Sequence, residues 1–560
     1  MLKAAISVKR KCIHFLLGVF LLGGSDIFAT VWQWSRTADS ITLPSGIHPQ
    51  AFLWVPEGCQ RVRAVVFAHN NMLEEGILEH PRFRKELTRL GIAEIFVTPL
   101  FDFWQVTTNN DAVNAKFAAL LKTFAAESGY SELEFAPVIP IGHSASATMP
   151  WNFAAWNPQR TVAVLSIHGD APQTRLTGNS KTNADWGSRD IDGIPSLMVM
   201  GEFEWWEDRL APIFPFKQKH PAATVALLCD AGNGHFNSSD ALVDFLAMFV
   251  RKAAEWRLPE KSLANEPPKL KPVDPRQGWL VDRWRQGKPP TASAAPFEKY
   301  AGNRDEAFWC FDREMAGATE KYYARQCGKL AQLVGFAQDG KTIPLLPKSS
   351  DQVRVPVPPL DDSLTFHLQG TFLDAVPAGI PEKWTGLTNV TPIGHATGGG
   401  PVVLSRITGP VVQLSPDTFA IRFNRLSLFA DQRMTGICLF AKHPGDAKYK
   451  AAVEPALMRI PARLTNGVEQ KISFPIIPDQ KDGAKSLALN AVSSAGAPVY
   501  YYVRQGPAEI SGNRLLFTKI PPRAIYPVKV TVVAWQYGRT IEPWIQSAEP
   551  VEQTFWIVNH

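Results

Sequence analysis

The chain has 560 residues, of which 45% are hydrophobic and 20% charged, a composition typical of proteins that fold around apolar cores. At roughly 100–200 residues per domain, this length predicts three or four domains. The formal net charge is +6, and the basic N-terminal segment supplies about half of it. The remainder therefore lacks the clustered positive charge that nucleic-acid binding requires, and we expect no nucleic-acid partner.

The first 29 residues form a segment of their own. Basic residues between positions 3 and 11 precede a mostly apolar stretch at 13–24, and Ala29 offers a small residue for cleavage. The apolar stretch is too short to span a membrane as a mature helix. The sequence therefore predicts a secretory signal peptide over 1–29 and an exported protein, periplasmic, on the cell surface or extracellular. No later run is long enough for a membrane span.

From residue 64 onward, short apolar runs alternate with stretches of helical periodicity. One such stretch lies between Pro81 and Gly91, a start and a stop that are typical of a helix. The apolar runs that we expect to be strands are 64–68, 94–98, 137–141, 161–167, 195–200 and 224–229. This alternation predicts an α/β domain over 30–257 with a mostly parallel sheet and helices on both faces.

The most informative motif, Gly142-His143-Ser144-Ala145-Ser146, follows the apolar run 137–141 directly. A serine on a tight turn between a strand and a helix projects clear of the sheet, and small neighbours let the backbone bend. Such a serine is a candidate nucleophile. Taken alone the motif is also compatible with an ordinary turn or a helix cap, and its usual last glycine is Ser146 here.

A serine hydroxyl needs a base within hydrogen-bond reach, and the base needs an orienting carboxylate. Glu202 and Glu204 follow the apolar run 195–200, and His235 follows the run 224–229. Each could be a solvated loop residue. Together, a serine, an acid and a histidine at the ends of successive predicted strands indicate a catalytic triad.

These residues carry a resemblance: 45–257 resembles the serine hydrolases of the α/β-hydrolase superfamily, and looks most like its secreted bacterial esterases. The resemblance implies that Ser144 attacks an ester carbonyl, that His235 takes and returns the proton, and that Glu204 orients the imidazole. Glu202 remains an alternative acid. Asp170, after the preceding predicted strand, is another, because some family members draw their acid from there.

The same resemblance implies an oxyanion hole, in which backbone N–H groups stabilise the developing negative charge. The loop His69-Asn70-Asn71-Met72 is similar to the histidine-glycine loop of these hydrolases, with asparagine where glycine is common. The implied donors are the N–H groups of Ala145 and of Asn71 or Asn70.

Aromatic residues crowd the loops expected to rim the pocket: Phe101, Phe103, Trp104, Trp151, Trp205 and Trp206. Of these, Trp104 and Trp205 are the candidate substrate-binding residues, although such rings serve equally well as packing. The chain has no glycine-rich phosphate loop and no closely spaced His/Cys set. We therefore expect no cofactor and no metal.

The remainder divides by composition into three parts. Residues 258–350 are expected to be a proline-rich linker and a helical segment, with helical spacing over 304–336. From 351 the period changes to that of strands, which predicts a β-rich domain over 351–468. Farther along lie the runs 470–474, 493–501 and 506–513 and an alternating strand at 528–532. On these runs, residues 469–560 resemble the Ig-like sandwich modules appended to bacterial secreted proteins, a resemblance that implies a spacer or an adhesion module without chemistry of its own.

The sequence thus predicts an exported serine hydrolase that cleaves carboxylic esters through an acyl-enzyme, with a carbohydrate esterase acting on polysaccharide as one candidate. A peptidase or lipase-like enzyme using the same triad, and a catalytically inactive surface-binding protein, are the alternatives.

Overall fold

The computed structural model describes residues 32–38, 42, 48–99, 110–174, 184–203, 206–261, 265–344, 353–354, 360, 362–426 and 436–559. The predicted signal peptide at 1–29 lies outside them. No helix among the described residues is long and apolar enough to cross a membrane.

The first part of the chain forms an eight-stranded sheet with the order β1-β2-β4-β3-β5-β6-β7-β8. Strands β1 and β2 are antiparallel additions, and all strands from β4 to β8 along that order run parallel. The strands are β1 (Trp34–Thr37), β2 (Gln50–Trp54), β3 (Ala64–His69), β4 (Ile92–Thr98), β5 (Val138–His143), β6 (Val164–Ile167), β7 (Ser196–Gly201) and β8 (Val225–Asp230). The predicted mostly parallel sheet is confirmed.

Helices cover both faces of this sheet, as the alternation predicted. They are α1 (Glu74–Leu78), α2 (Pro81–Leu90), α3 (Asn110–Ser128), α4 (Met149–Trp156), α5 (Trp206–Leu210), α6 (Ile213–Lys219) and α7 (Asp240–Arg257). Apolar side chains of α2 and α7 pack into one core and those of α3 into the core on the other face. Helix α2 begins at Pro81 and ends before Gly91, whose φ of 67° caps it.

Residues 275–324 pack back on the sheet. They contain β9 (Trp279–Val281), β10 (Ala295–Pro296), β11 (Phe308–Cys310) and α8 (Arg313–Ala324). Trp309, Phe311 and Met315 belong to the same core as α7. The expected helix over 304–336 is wrong at both ends, because Phe308 and its neighbours pair with β9 as a strand and 334–338 pairs farther along the chain.

Residues 330–459 form what we call the middle β region. Its elements are β12 (Val334–Gln338), β13 (Lys341–Thr342), β14 (Val353–Arg354), β15 (Thr365–His367), β16 (Gln369–Phe372), α9 (Ile380–Thr385), β17 (Val403–Thr408), β18 (Val411–Ser415), β19 (Thr418–Ile421), β20 (Gly436–His443) and β21 (Ala452–Arg459). Because β12 pairs with β16, this region begins before residue 351, the boundary expected from composition.

The remaining strands form what we call the C-terminal β module. They are β22 (Ile472–Ser473), β23 (Gln480–Lys481), β24 (Ser486–Ala488), β25 (Val492–Ser493), β26 (Tyr500–Gln505), β27 (Ala508–Ser511), β28 (Arg514–Phe517), β29 (Val528–Trp535) and β30 (Val551–Val558). Its small sheets, largely antiparallel, are compatible with the expected sandwich. Trp535 and Tyr537 share a core with the middle β region, so the module is packed against its neighbour.

Candidate active site

Ser144 lies on a strained turn directly after β5. Its φ of 54° is in the left-handed region, which is uncommon for a residue with a side chain. The turn is so tight that a Cβ on Gly142 would lie 2.1 Å from the carbonyl oxygen of Ser146. Glycine is therefore required at 142, and Ser144 is presented at the carboxyl edge of the sheet as the sequence predicted.

His235 lies in the loop between β8 and α7, and its ring meets the serine. The distance from His235 Nε2 to Ser144 Oγ is 2.6 Å, and both residues are half-buried. This is the separation at which an imidazole can accept the proton of a serine hydroxyl. The fold thus brings together two residues that are 91 positions apart in the sequence.

The loop that carries His235 is held by buried polar contacts. Asp230, at the end of β8, accepts hydrogen bonds from the amides of Asn233 (2.8 Å) and Asn237 (2.7 Å) and from the hydroxyl of Tyr322 (2.9 Å). Burial raises the pKa of the Asp230 carboxyl, while the nearby His168 and these hydrogen bonds oppose the shift. The loop is therefore fixed on both sides of His235.

His143 contacts the same loop from the interior of the protein. It is fully buried, and its Nε2 donates to the carbonyl oxygen of His235 at 3.0 Å. The rings of His143, His168 and His235 pack against one another with centroids 5.0–6.0 Å apart. Within the described part of the chain, no group of three or more His, Cys, Asp or Glu side chains is arranged to hold a metal.

Glu202 is held in place by Lys450 and by the backbone of Gly232. One carboxylate oxygen accepts from the ammonium of Lys450, and the other accepts the N–H of Gly232 at 2.6 Å. Glu202 thereby holds the His235 loop against the middle β region.

The other two candidate acids are Asp170 and Glu204. Asp170 is buried beyond the end of β6. Glu204, the acid that the resemblance implies, lies outside the described residues, so its role stays a prediction.

The oxyanion loop differs from the arrangement that the resemblance implies. The N–H of Asn70 donates to the carbonyl oxygen of Val97 at 2.7 Å, because Asn70 continues the ladder between β3 and β4. The N–H of Asn71 donates to Glu74 at 3.0 Å, and its side-chain amide donates to His143 O at 2.9 Å. In this structure Asn70 and Asn71 are therefore engaged within the protein. Ala145 stays the predicted donor.

Glu74 is a buried residue of the candidate site that the sequence did not point to. It is fully buried at the start of α1, where one oxygen accepts the N–H of His143 (2.7 Å) and the Ser146 hydroxyl. The other oxygen accepts the N–H groups of Asn71 and Met72. Burial raises the pKa of the Glu74 carboxyl, and these hydrogen bonds oppose the shift. Glu74 therefore joins the oxyanion loop to the serine turn.

The only sequence signal for this contact is Ser146. A serine stands where the motif usually has glycine, and a buried hydroxyl needs a partner. Its partner, Glu74, is 72 residues away.

Only some of the aromatic residues singled out in the sequence lie among the described residues. Trp104 and Trp205 lie outside the described residues, whereas Trp151 is fully buried in the core and serves as packing. A different aromatic pair lies beside the His235 loop: Trp384, from α9 of the middle β region, stacks on Phe203 with centroids 5.5 Å apart. A Cβ on Gly234 would lie 3.7 Å from the Trp384 ring.

No protein-family model matches the chain, and no curated protein sequence is significantly similar to it. Solved structures do resemble part of it. A lidless α/β serine hydrolase from Xanthomonas campestris is 15% identical and matches 41% of this chain and 97% of its own, with a TM-score of 0.27. An esterase from Pyrobaculum calidifontis is 15% identical over 39% of this chain and 86% of its own, with a TM-score of 0.28.

A phospholipase/carboxylesterase from Dyadobacter fermentans is 14% identical over 39% of this chain and 100% of its own, with a TM-score of 0.25. Each of these likenesses covers only about two fifths of the chain. The fold itself is assigned from the sheet described above. Its order, the serine turn after β5 and the histidine after β8 have the arrangement of the α/β-hydrolase fold.

Proposed function

We propose that this protein is an exported serine hydrolase that cleaves carboxylic esters through an acyl-enzyme. The observation that carries the proposal is the 2.6 Å contact between His235 Nε2 and Ser144 Oγ on a strained strand-to-helix turn. A hydroxyl held by a neutral imidazole is the activated nucleophile of this chemistry. Export rests on the basic and apolar pattern of residues 1–29.

The proposed reaction has two halves. Ser144 Oγ attacks the ester carbonyl while His235 takes its proton, and the tetrahedral intermediate collapses as His235 gives that proton to the leaving alcohol. Water then attacks the acyl-enzyme, with His235 again receiving and returning the proton. We assign Glu204 to orient His235 and the N–H of Ala145 to the oxyanion.

Carbohydrate esters are the substrate class we propose to test first. An exported enzyme that carries two β-rich parts is suited to decorated polysaccharide, and the aromatic residues Trp104 and Trp205 are of the kind that stacks on sugar rings. A panel of p-nitrophenyl acetate, acetylated xylan, a feruloylated oligosaccharide, a triglyceride and a peptide separates the candidate activities. Turnover of only the peptide or the triglyceride would favour the corresponding alternative.

The decisive experiment uses a fluorophosphonate on the full-length mature protein. Ser144 Oγ attacks phosphorus, fluoride leaves, and mass spectrometry locates the adduct. We expect modification of Ser144 that His235→Ala abolishes while the far-ultraviolet circular dichroism is unchanged. A folded wild-type protein that forms no adduct at Ser144 would refute the proposed function.

A further inference from the structure

Helix α1 contacts the serine turn and the middle β region at the same time. Glu74 holds the backbone of the serine turn, as described above. The next residue, Glu75, is turned the other way and is also buried. It accepts hydrogen bonds from Arg406 Nη2 at 2.7 Å and from the Thr408 hydroxyl at 2.8 Å. Both of these donors lie on β17, more than 330 residues away in the sequence.

Arg406 is itself held in position. Its Nε donates to the carbonyl oxygen of Gly409 at 2.8 Å, so the guanidinium is fixed at both ends of its fork. A planar guanidinium with several directed hydrogen bonds loses little freedom on binding a carboxylate and sets its orientation. The contact between Arg406 and Glu75 therefore helps to fix the position of α1, and with it the position of Glu74.

The middle β region also reaches the histidine side of the site. Lys450, just before β21, binds one oxygen of Glu202, and the other oxygen holds the N–H of Gly232, three residues before His235. The carbonyl oxygen of Ala451 lies 3.1 Å from the position that a Cβ on Gly232 would take. The loop that carries His235, the proposed base, is thus packed directly against the middle β region.

We propose that the middle β region is a working part of the catalytic unit, in which Arg406 positions Ser144 through α1 and Lys450 positions His235 through Glu202. This inference rests on the proposed function. It assigns Arg406 and Lys450 as positioning residues, since neither touches the reacting atoms. It also gives a role to the middle β region, for which the sequence alone predicted none.

The size of the effect follows from the geometry of proton transfer and attack. Reacting atoms must be held within a fraction of an ångström, and a displacement of about 1 Å costs on the order of a hundredfold in rate. Replacing Arg406 removes one of the two side-chain contacts on Glu75, so we expect α1 to move by less than about 1 Å. We therefore expect a decrease of about tenfold or more in the reactivity of Ser144, expressed in kcat and not in KM.

The test measures the second-order rate of fluorophosphonate labelling at Ser144, with melting temperature, in full-length wild type and in Arg406→Met and Lys450→Met. The matched control is Arg523→Met. Arg523, in the C-terminal β module, binds the buried Glu132 at 3.0 Å, an inter-region ion pair of similar burial. Glu132 precedes β5, at the opposite end of that strand from Ser144.

We expect each test variant to label at least about tenfold more slowly than wild type, and the control to stay within about twofold. Arg406→Lys, which keeps the charge, is expected to recover part of the rate. With p-nitrophenyl acetate, kcat should fall while KM is retained. If Arg406→Met does not fold, Thr408→Val removes a single hydrogen bond to Glu75 and is expected to slow labelling on its own.

The possible outcomes distinguish a failure of this inference from a failure of the proposed function. Test variants that label at the wild-type rate overturn the inference while leaving the proposed function intact. A control that loses as much as the test variants also overturns it, because the effect would then be one of overall stability. A wild-type protein that is not labelled at Ser144 refutes the proposed function and the inference with it.

Discussion

Replacing Glu74 with Gln tests how the serine turn is built, because the two side chains have the same shape and differ in charge and hydrogen bonding. One Glu74 oxygen accepts from His143 N–H and the Ser146 hydroxyl, and the other from the N–H groups of Asn71 and Met72. A Gln amide has one acceptor oxygen. Its best orientation serves Asn71 and Met72, and turns its NH₂ group toward His143 and Ser146.

In that orientation only the hydrogen bond from the N–H of His143 to residue 74 is lost. The Ser146 hydroxyl can rotate to accept from the amide, and the N–H of His143 keeps its longer contact with Ser146 Oγ at 3.2 Å. A hydrogen bond to a charged group contributes about 1.5–3 kcal/mol, and the retained contact and the removal of a buried charge offset part of that loss. We expect Glu74→Gln to lower the free energy of unfolding by about 1–3 kcal/mol. Glu74→Ala removes the carboxylate that accepts from three backbone N–H groups, and we expect it to cost more than Glu74→Gln.

The assay pairs urea unfolding of the full-length variants with the rate of fluorophosphonate labelling at Ser144. We expect Glu74→Gln to remain folded and to label at least about tenfold more slowly, because the backbone of His143 directly precedes the nucleophile. The reasoning is refuted if Glu74→Gln matches wild type in both measurements, or if Glu74→Ala is no less stable than Glu74→Gln.

Three further predictions concern the acid, the turn and pH. Glu204→Gln should lower kcat far more than Glu202→Gln, whose carboxylate is already bound to Lys450 and to the N–H of Gly232; steady-state kinetics on both variants tests this, and a larger loss with Glu202→Gln would contradict the assignment of Glu204. Gly142→Ala should abolish labelling of Ser144, since its Cβ would lie 2.1 Å from a backbone oxygen; normal labelling would contradict the described turn. The backbone N–H of Tyr449 and its neighbours lower the pKa of Asp446 to about 2, so its stabilisation is present above about pH 4 and lost as pH falls toward 2. Asp446→Asn should therefore lower the melting temperature at pH 7 and not at pH 2, and an equal difference at both would contradict this.

Local patterns were enough to predict the α/β part of the fold. Most residues of each parallel strand are apolar, because both faces of the sheet are covered. Helix α2 could be predicted from Pro81 and Gly91, whose backbone preferences start and stop a helix. Ser144 and His235 could be predicted for a related reason: the carboxyl ends of parallel strands meet at one edge, so residues that follow β5 and β8 are brought together.

Local patterns failed where pairing partners are distant. Apolar residues around 308 and 334 fit a helical period, yet each segment pairs with a strand elsewhere and becomes extended. Glu202 could not be distinguished from Glu204 as the acid, because its partner Lys450 is 248 residues away. Trp384 could not be placed beside Phe203 for the same reason, because the two residues are far apart in the sequence.

The type of sheet, the serine turn and the loop that carries His235 could all be read from the sequence, because each depends on the conformational preferences of residues close together in the chain. The contacts that hold these parts together depend on how distant segments pack. Buried carboxylates such as Glu74, Glu75 and Glu202 must find donors, and in this protein the donors come from the serine turn, β17 and the segment before β21. A carboxylate looks the same in the sequence whether it is solvated or buried, and burial is settled only when distant segments pack together.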